Sequence, residues 1–200
     1  MSRWAVLSDE VGASAAELAV ILPILIVLIF GAIDGGRWLW EYNRIEKATQ
    51  MGVRFAAVTD PVAADVKSTY VGTICKGVTL SQGDTIDKDC FTLISCSMGS
   101  KTVGCSSGTA DANAFNKIVA RMQLFAGEIG AGNVTVEYIP SGLGFAGNPD
   151  GPDVSPVVRV SVNSLTFKPV SFLTFRQTGI TMPAFRASLT AEDLSGNRSN

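Results

Sequence analysis

The sequence predicts an α+β protein: a long N-terminal transmembrane helix followed by a small antiparallel sheet packed with a helix. Three observations carry that prediction. Leu18 to Ile33 reads LAVILPILIVLIFGAI, sixteen residues without a charge. Beyond it, Trp38, Tyr42, Ile45, Thr49, Gly52 and Ala56 recur at alternating steps of four and three, which keeps them on one helix face. Further on, Val134, Val136 and Tyr138, and then Val158, Val160 and Val162, alternate with polar residues, as half-buried strands do.

The apolar block comes first. Sixteen helical residues span about 24 Å, somewhat less than a hydrocarbon core of about 30 Å. Ala13, Ser14, Ala15 and Ala16 extend the run at one end, and Trp38, Trp40 and Tyr42 supply interfacial aromatics at the other. The rival reading is a cleaved secretory signal, whose apolar region is ordinarily about 7–15 residues. Gly35, Gly36, Arg37 and Trp38 do not make an A-x-A cleavage site. Arg3, Asp9, Glu10 and Arg37 leave the positive-inside rule nearly silent.

Five positions in or beside the block stand out. Glu17 is a carboxylate at the edge of an apolar helix, costly unless it reaches the interface or a partner. Pro23 denies the carbonyl of Ala19 its helical donor, so a kink or local unwinding is expected. Gly31 and Gly35 form a G-x-x-x-G pair, which lets a second helix approach closely. Asp34 marks the outer end of the apolar run. Arg44, Glu46, Lys47 and Arg54 occupy other faces of the following stretch, and Pro61 closes it. One continuous helix from Ala13 to Val58 would be roughly 70 Å long; the alternative is a separate amphipathic helix starting after Gly35–Gly36.

Cys75, Cys90, Cys96 and Cys105 all follow the apolar block, within about thirty residues of each other, and no C-x-x-C pair occurs. An even count in a loop-rich segment beyond a membrane signal points to two disulfides in an oxidising compartment. Four cysteines allow three connectivities, which spacing does not separate. That compartment, in turn, places the C-terminal part outside the cytosol.

From Ser68 to Gly108 the chain is rich in Gly, Ser, Thr and Cys, with one short strand candidate at Phe91–Cys96. Asp111 is a helix cap for a helix through about Glu128, with Phe115, Ile118, Met122 and Phe125 on one face and Gly127 and Gly130 ending it. Phe185, Ala187 and Leu189 form a third alternation before a polar tail at Ser195–Asn200.

Charge and composition narrow the function. The formal net charge is −2, with no clustered basic face of the kind nucleic acid requires. The chain has no histidine, which removes the commonest general base, the Ser–His and Cys–His pairs and His-based zinc sites. Glu137 and Asp153 are the carboxylates available to a tethered enzyme, a minor reading. Gly142, Gly144 and Gly147 spell G-x-G-x-x-G, but Asn148, Pro149, Asp150, Gly151 and Pro152 follow and prevent the helix that dinucleotide binding needs. Asn148, Asp150 and Asp153 lack EF-hand spacing, so an exposed turn explains them better than calcium. No cofactor, metal or catalytic residue is therefore expected.

The stretch GASAAELAVILPILIVLIFGAIDGGRWLWEYNRIEKATQMGVRFAAV resembles the TadE-like family, minor pilin-like proteins of the tight-adherence (type IVb, Flp) pilus system of bacteria. The likeness covers Gly12 to about Val58. It rests on a glycine followed by small residues, a glutamate five positions after it, Leu-Pro within an apolar run, and a Gly–Arg–aromatic exit. It implies a pilin-like subunit cut by a membrane prepilin peptidase between Gly12 and Ala13. Glu17 would then be the fifth mature residue, with the freed α-amine of Ala13 as its partner, an arrangement that makes a buried carboxylate tolerable.

The expected layout is therefore a leader at 1–12, a transmembrane and extended amphipathic helix at 13–58, an extracytoplasmic α+β domain at 59–194 and a tail at 195–200. The expected partners are membrane lipid, other pilin-like subunits, the pilus assembly platform and the prepilin peptidase. Helices would pack through the face carrying Glu17, Pro23, Gly31 and Gly35. The expected location is the bacterial inner membrane, single-pass, with entry into a surface pilus left open. An anchored or secreted adhesin or binding module unrelated to pilus building is the alternative.

Overall fold

A computed structural model describes residues 10–170, 179–191 and 194, with side chains from residue 15 onward. The polar tail and the first nine residues of the expected leader lie outside the described residues.

One helix, α1, runs from Glu10 to Val58, about 74 Å at 1.5 Å per residue. It stays helical through Pro23 and through Gly35–Gly36, so the unwinding expected at the proline and the separate second helix are both corrected. The chain divides into two compact units, one formed by residues 1–41 and 166–180, the other by 42–165 and 181–200.

In the first unit, the apolar run of α1 turns its large side chains outward along its whole length; Leu18, Ile24 and Leu28 are all exposed by more than three-fifths. The strand β7 (Thr166–Phe167) belongs to a two-stranded ribbon with β8 (Ile180–Thr181). Phe167 is buried.

In the second unit, the remainder of α1 buries the predicted face. Ile45, Thr49, Gly52 and Ala56 are all buried, joined by Ala48, Val53 and Ala57. The small residues have a purpose there. A Cβ on Gly52 would stand 2.7 Å from both Cγ and Sδ of Met122, so α2 (Ala112–Gln123) approaches α1 where α1 has no side chain. Asp111 caps α2 as expected, its carboxylate accepting from the amides of Asn113 and Ala114 at 2.8 and 3.1 Å. The helix ends at Gln123 rather than near Glu128. Gln123 instead turns its side-chain amide onto the carbonyl of Ile129 at 2.8 Å, and the chain folds back through residues 124–129.

The sheet has five antiparallel strands. Besides β3 (Ile94–Met98), β4 (Val103–Cys105), β5 (Val134–Ile139) and β6 (Val157–Val162), it includes β9 (Phe185–Thr190), in the order β4-β3-β5-β6-β9. β3 begins at Ile94, not Phe91, because Phe91 closes a short 3-10 turn at Lys88–Cys90. In β5 the period of two is strict, with Val134, Val136 and Tyr138 buried. Interior β6 pairs residue by residue with β5 and β9. In β9 only Phe185 of the expected trio is buried, because this strand is the sheet's edge and its far end meets no second layer. The hydroxyl of Tyr138 accepts the amide of Val62 at 2.8 Å, and burial pushes that phenol above its ordinary range. The fold is α+β and pilin-like: a long apolar helix whose second half packs with a short helix and a five-stranded sheet.

Candidate functional site

The outward-facing part of α1 is the candidate site, and its geometry follows from helical period. At about 100° per residue, Glu17, Ile24, Leu28, Gly31 and Gly35 fall in one stripe. Pro23 lies roughly a third of a turn away, so the structure groups three of the four expected packing positions and separates the fourth. Glu17 is exposed. A Cβ added to Gly31 or Gly35 would meet nothing within 4 Å, which leaves both glycines open to an approaching backbone. Gly12 and Ala13 fall in the first turn of α1. This helix is long and apolar enough to cross a membrane, with a mean hydropathy of 2.7 over its most apolar window and none of that window buried.

Asp34 has a role that the sequence reading missed. It is only 7% exposed. One carboxylate oxygen accepts the amide of Val170 at 2.7 Å and faces the Arg37 guanidinium at 3.4 Å. Arg37 in turn lies over the Phe167 ring, 5.5 Å from its centroid. The available signal was the charge itself: an acid between Gly31 and Gly35 in an apolar segment needs a partner.

All four cysteines are paired. Cys96 joins Cys105 directly across β3 and β4, with Cα atoms 4.0 Å apart. Those residues form the closer, non-hydrogen-bonded kind of antiparallel pair, which spaces Cα atoms by about 4.5 Å. Cys75 joins Cys90 with Cα atoms 5.4 Å apart. That bridge ties the ribbon β1 (Ile74–Cys75) and β2 (Val78–Thr79) to the turn at Lys88–Cys90. Lys76 braces the same loop, 2.9 Å from Asp87 and 3.0 Å from Asp89.

The other sequence candidates have structural partners. Glu137 pairs across the sheet with Arg159 at 3.4 Å. Asp153 accepts the amides of Tyr70 at 2.6 Å and Asn148 at 2.9 Å, and the Thr69 hydroxyl at 3.2 Å. Burial opposes its charge, but the amides of Gly147, Tyr70 and Asn148 with that hydroxyl outweigh it and hold the carboxyl below its ordinary range. Gly142, Gly144 and Gly147 all have positive φ, of 74°, 128° and 74°. At Gly144 a Cβ would fall onto the Asp153 carbonyl oxygen, so these glycines serve loop geometry. Among the described residues no group of three acidic or cysteine side chains is placed to hold a metal. A groove of about 670 Å³ runs between α1 and β9, and Glu46 is the single carboxylate on its wall. Tyr42 and Phe185 line that groove with ring centroids 4.9 Å apart.

The family model described as TadE-like protein matches residues 12–54. No curated protein and no solved structure matches the chain. The matched stretch begins at Gly12, includes Glu17, Pro23, Gly31 and Gly35, and runs on into the buried face of α1. Over residues 12–54, therefore, this chain is similar to the TadE-like protein family.

Proposed function

We propose that this protein is a membrane-anchored minor pilin-like component that takes part in assembling or initiating a tight-adherence pilus. Its helix would span the bacterial inner membrane once and pack on similar helices through the Glu17–Gly31–Gly35 stripe, while the disulfide-bonded domain docks partner subunits outside the cytosol. The observation that carries this reading is the union in one helix of a TadE-like segment, a bare apolar stretch and a buried stretch. The bare stretch needs lipid or other helices around it, and the buried stretch ties it to a folded domain.

Prepilin peptidase would cut between Gly12 and Ala13. The new ammonium of Ala13 would then offset the charge of Glu17, in its own or a neighbouring subunit. Intact-mass measurement of membrane-extracted protein tests this step: a mass that retains Met1 to Gly12 rules it out. For the assembly role, a photo-reactive amino acid replaces Leu28 in the full chain in bacterial membranes. Cross-links to pilin-like subunits or to the pilus platform are expected, and their absence while the protein is membrane-embedded ends the proposal.

A further inference from the structure

Asp34 is the sole charge between Leu18 and Gly36, and it stands where the bare apolar run ends. A carboxylate at the bilayer centre is heavily disfavoured, so an anchored helix places Asp34 at the edge of the hydrocarbon. Whatever is fastened to its carboxylate shares that depth. The amide of Val170 is so fastened, at 2.7 Å, and the stacking of Arg37 on Phe167 makes a second tie at the next turn. The ribbon is itself tight here: a Cβ on Gly179 would stand 2.5 Å from the Phe167 carbonyl oxygen and 2.6 Å from Thr166 Cγ2.

Around this clasp several aliphatic side chains are exposed. Ile33, Val170 and Ile180 are 48%, 37% and 47% exposed, beside the fully bare helix run, and Lys168 is exposed among them. In water a large exposed apolar surface is disfavoured. At a lipid surface each group has a use: the aliphatic side chains enter the acyl boundary, while a lysine keeps its stem there and its ammonium among the phosphates.

We propose that the segment at Thr166–Val170 and Ile180, pinned by Asp34, is a second membrane contact that rests on the bilayer surface at the end of the transmembrane run. The inference rests on the membrane-anchor reading above. The Asp34 clasp would then set how deep that segment sits.

Site-directed spin labelling of the full chain, reconstituted in vesicles of phosphatidylcholine and phosphatidylglycerol, tests it. The described cysteines are all bridged, so an added thiol is the labelling site. Leu25→Cys reports the anchor, Val170→Cys and Ile180→Cys report the proposed contact, and Asn116→Cys on α2 serves as the aqueous reference. Labels at 170 and 180 are expected to show several-fold lower accessibility to a water-soluble nickel complex than the label at 116. They should also show higher accessibility to that complex than the label at 25. If 25 is lipid-buried while 170 and 180 match 116, the anchor stands and the contact is overturned. If 25 is itself aqueous, both readings fall. Asp34→Ala is expected to raise nickel accessibility at 180, whereas Asp34→Asn, which keeps a carbonyl acceptor for Val170, leaves it near the parent value. Equal accessibility in the parent and both variants would remove Asp34 from the proposal.

Discussion

Two stretches of the same helix differ in what surrounds them. Residues 18–33 are larger and more apolar, yet nearly every side chain is exposed. Residues 45–57 mix alanine, glycine and threonine with charged positions, yet one face is wholly buried. Side-chain size explains the contrast. The second stretch packs on protein, where Gly52 lets α2 approach and any bulk would collide. The first has only to be apolar all round, which suits a solvent that is itself apolar. Hydrophobicity alone therefore does not mark the core of this molecule; the buried helix face is the less apolar one.

The sharpest way to break that comparison is a matched pair of truncations. Phe115 on α2 is fully buried, and Phe115→Ala is expected to destabilise the folded domain by about 3–5 kcal/mol. Leu25→Ala removes an equally apolar group from the bare run, where 48% of the residue is exposed, and should leave the domain's unfolding midpoint unchanged. Urea denaturation of the full chain in detergent micelles, followed by near-ultraviolet circular dichroism, measures both. Equal losses would mean that the apolar run contributes to the domain core after all.

A smaller effect is expected at the loop-rich part of the domain, where covalent bonds supplement a thin core. The Cys75–Cys90 bridge closes a 15-residue separation and Cys96–Cys105 one of 9. Replacing Cys75 and Cys90 by alanine should cost about 3 kcal/mol. The Cys96/Cys105 double replacement should cost less, because its loop is shorter and the β3–β4 ladder already holds the strands. The same denaturation experiment ranks the two, and the reverse order would contradict the loop-length argument.

The smallest effect concerns Asp153, which anchors the Tyr70 and Asn148 amides. Its folded-state acidity is greater than that of an unfolded aspartate, whose pKa is about 3.9. Its stabilisation is therefore complete above that value and is lost as the pH falls through the lower, folded one. Asp153→Asn should weaken the domain by about 1–3 kcal/mol at neutral pH and flatten the loss of stability below about pH 4. Denaturation midpoints across that window show whether the two curves converge in acid, as this account requires.

Much of the candidate site was legible because its signals are local. Glu17, Gly31 and Gly35 share a face by period alone, and the TadE-like segment lies within one uninterrupted helix. The alternations in β5 and β6 were equally plain, since both strands sit inside the sheet. Signals failed where neighbours far along the chain decide. β9 alternates without burying its outer positions, because it is an edge. α2 ends at Gln123, whose side-chain amide bonds the carbonyl of Ile129.

By itself, then, the sequence determined the apolar run, the buried helix face and the class of the fold, because each depends on residue period and composition within one segment. Only the tertiary structure decided which cysteines join, that Asp34 holds the amide of Val170, and that the glycine-rich loop is organised around Asp153. Each of those depends on a partner distant in sequence, and spacing along a chain carries no record of which distant groups will meet.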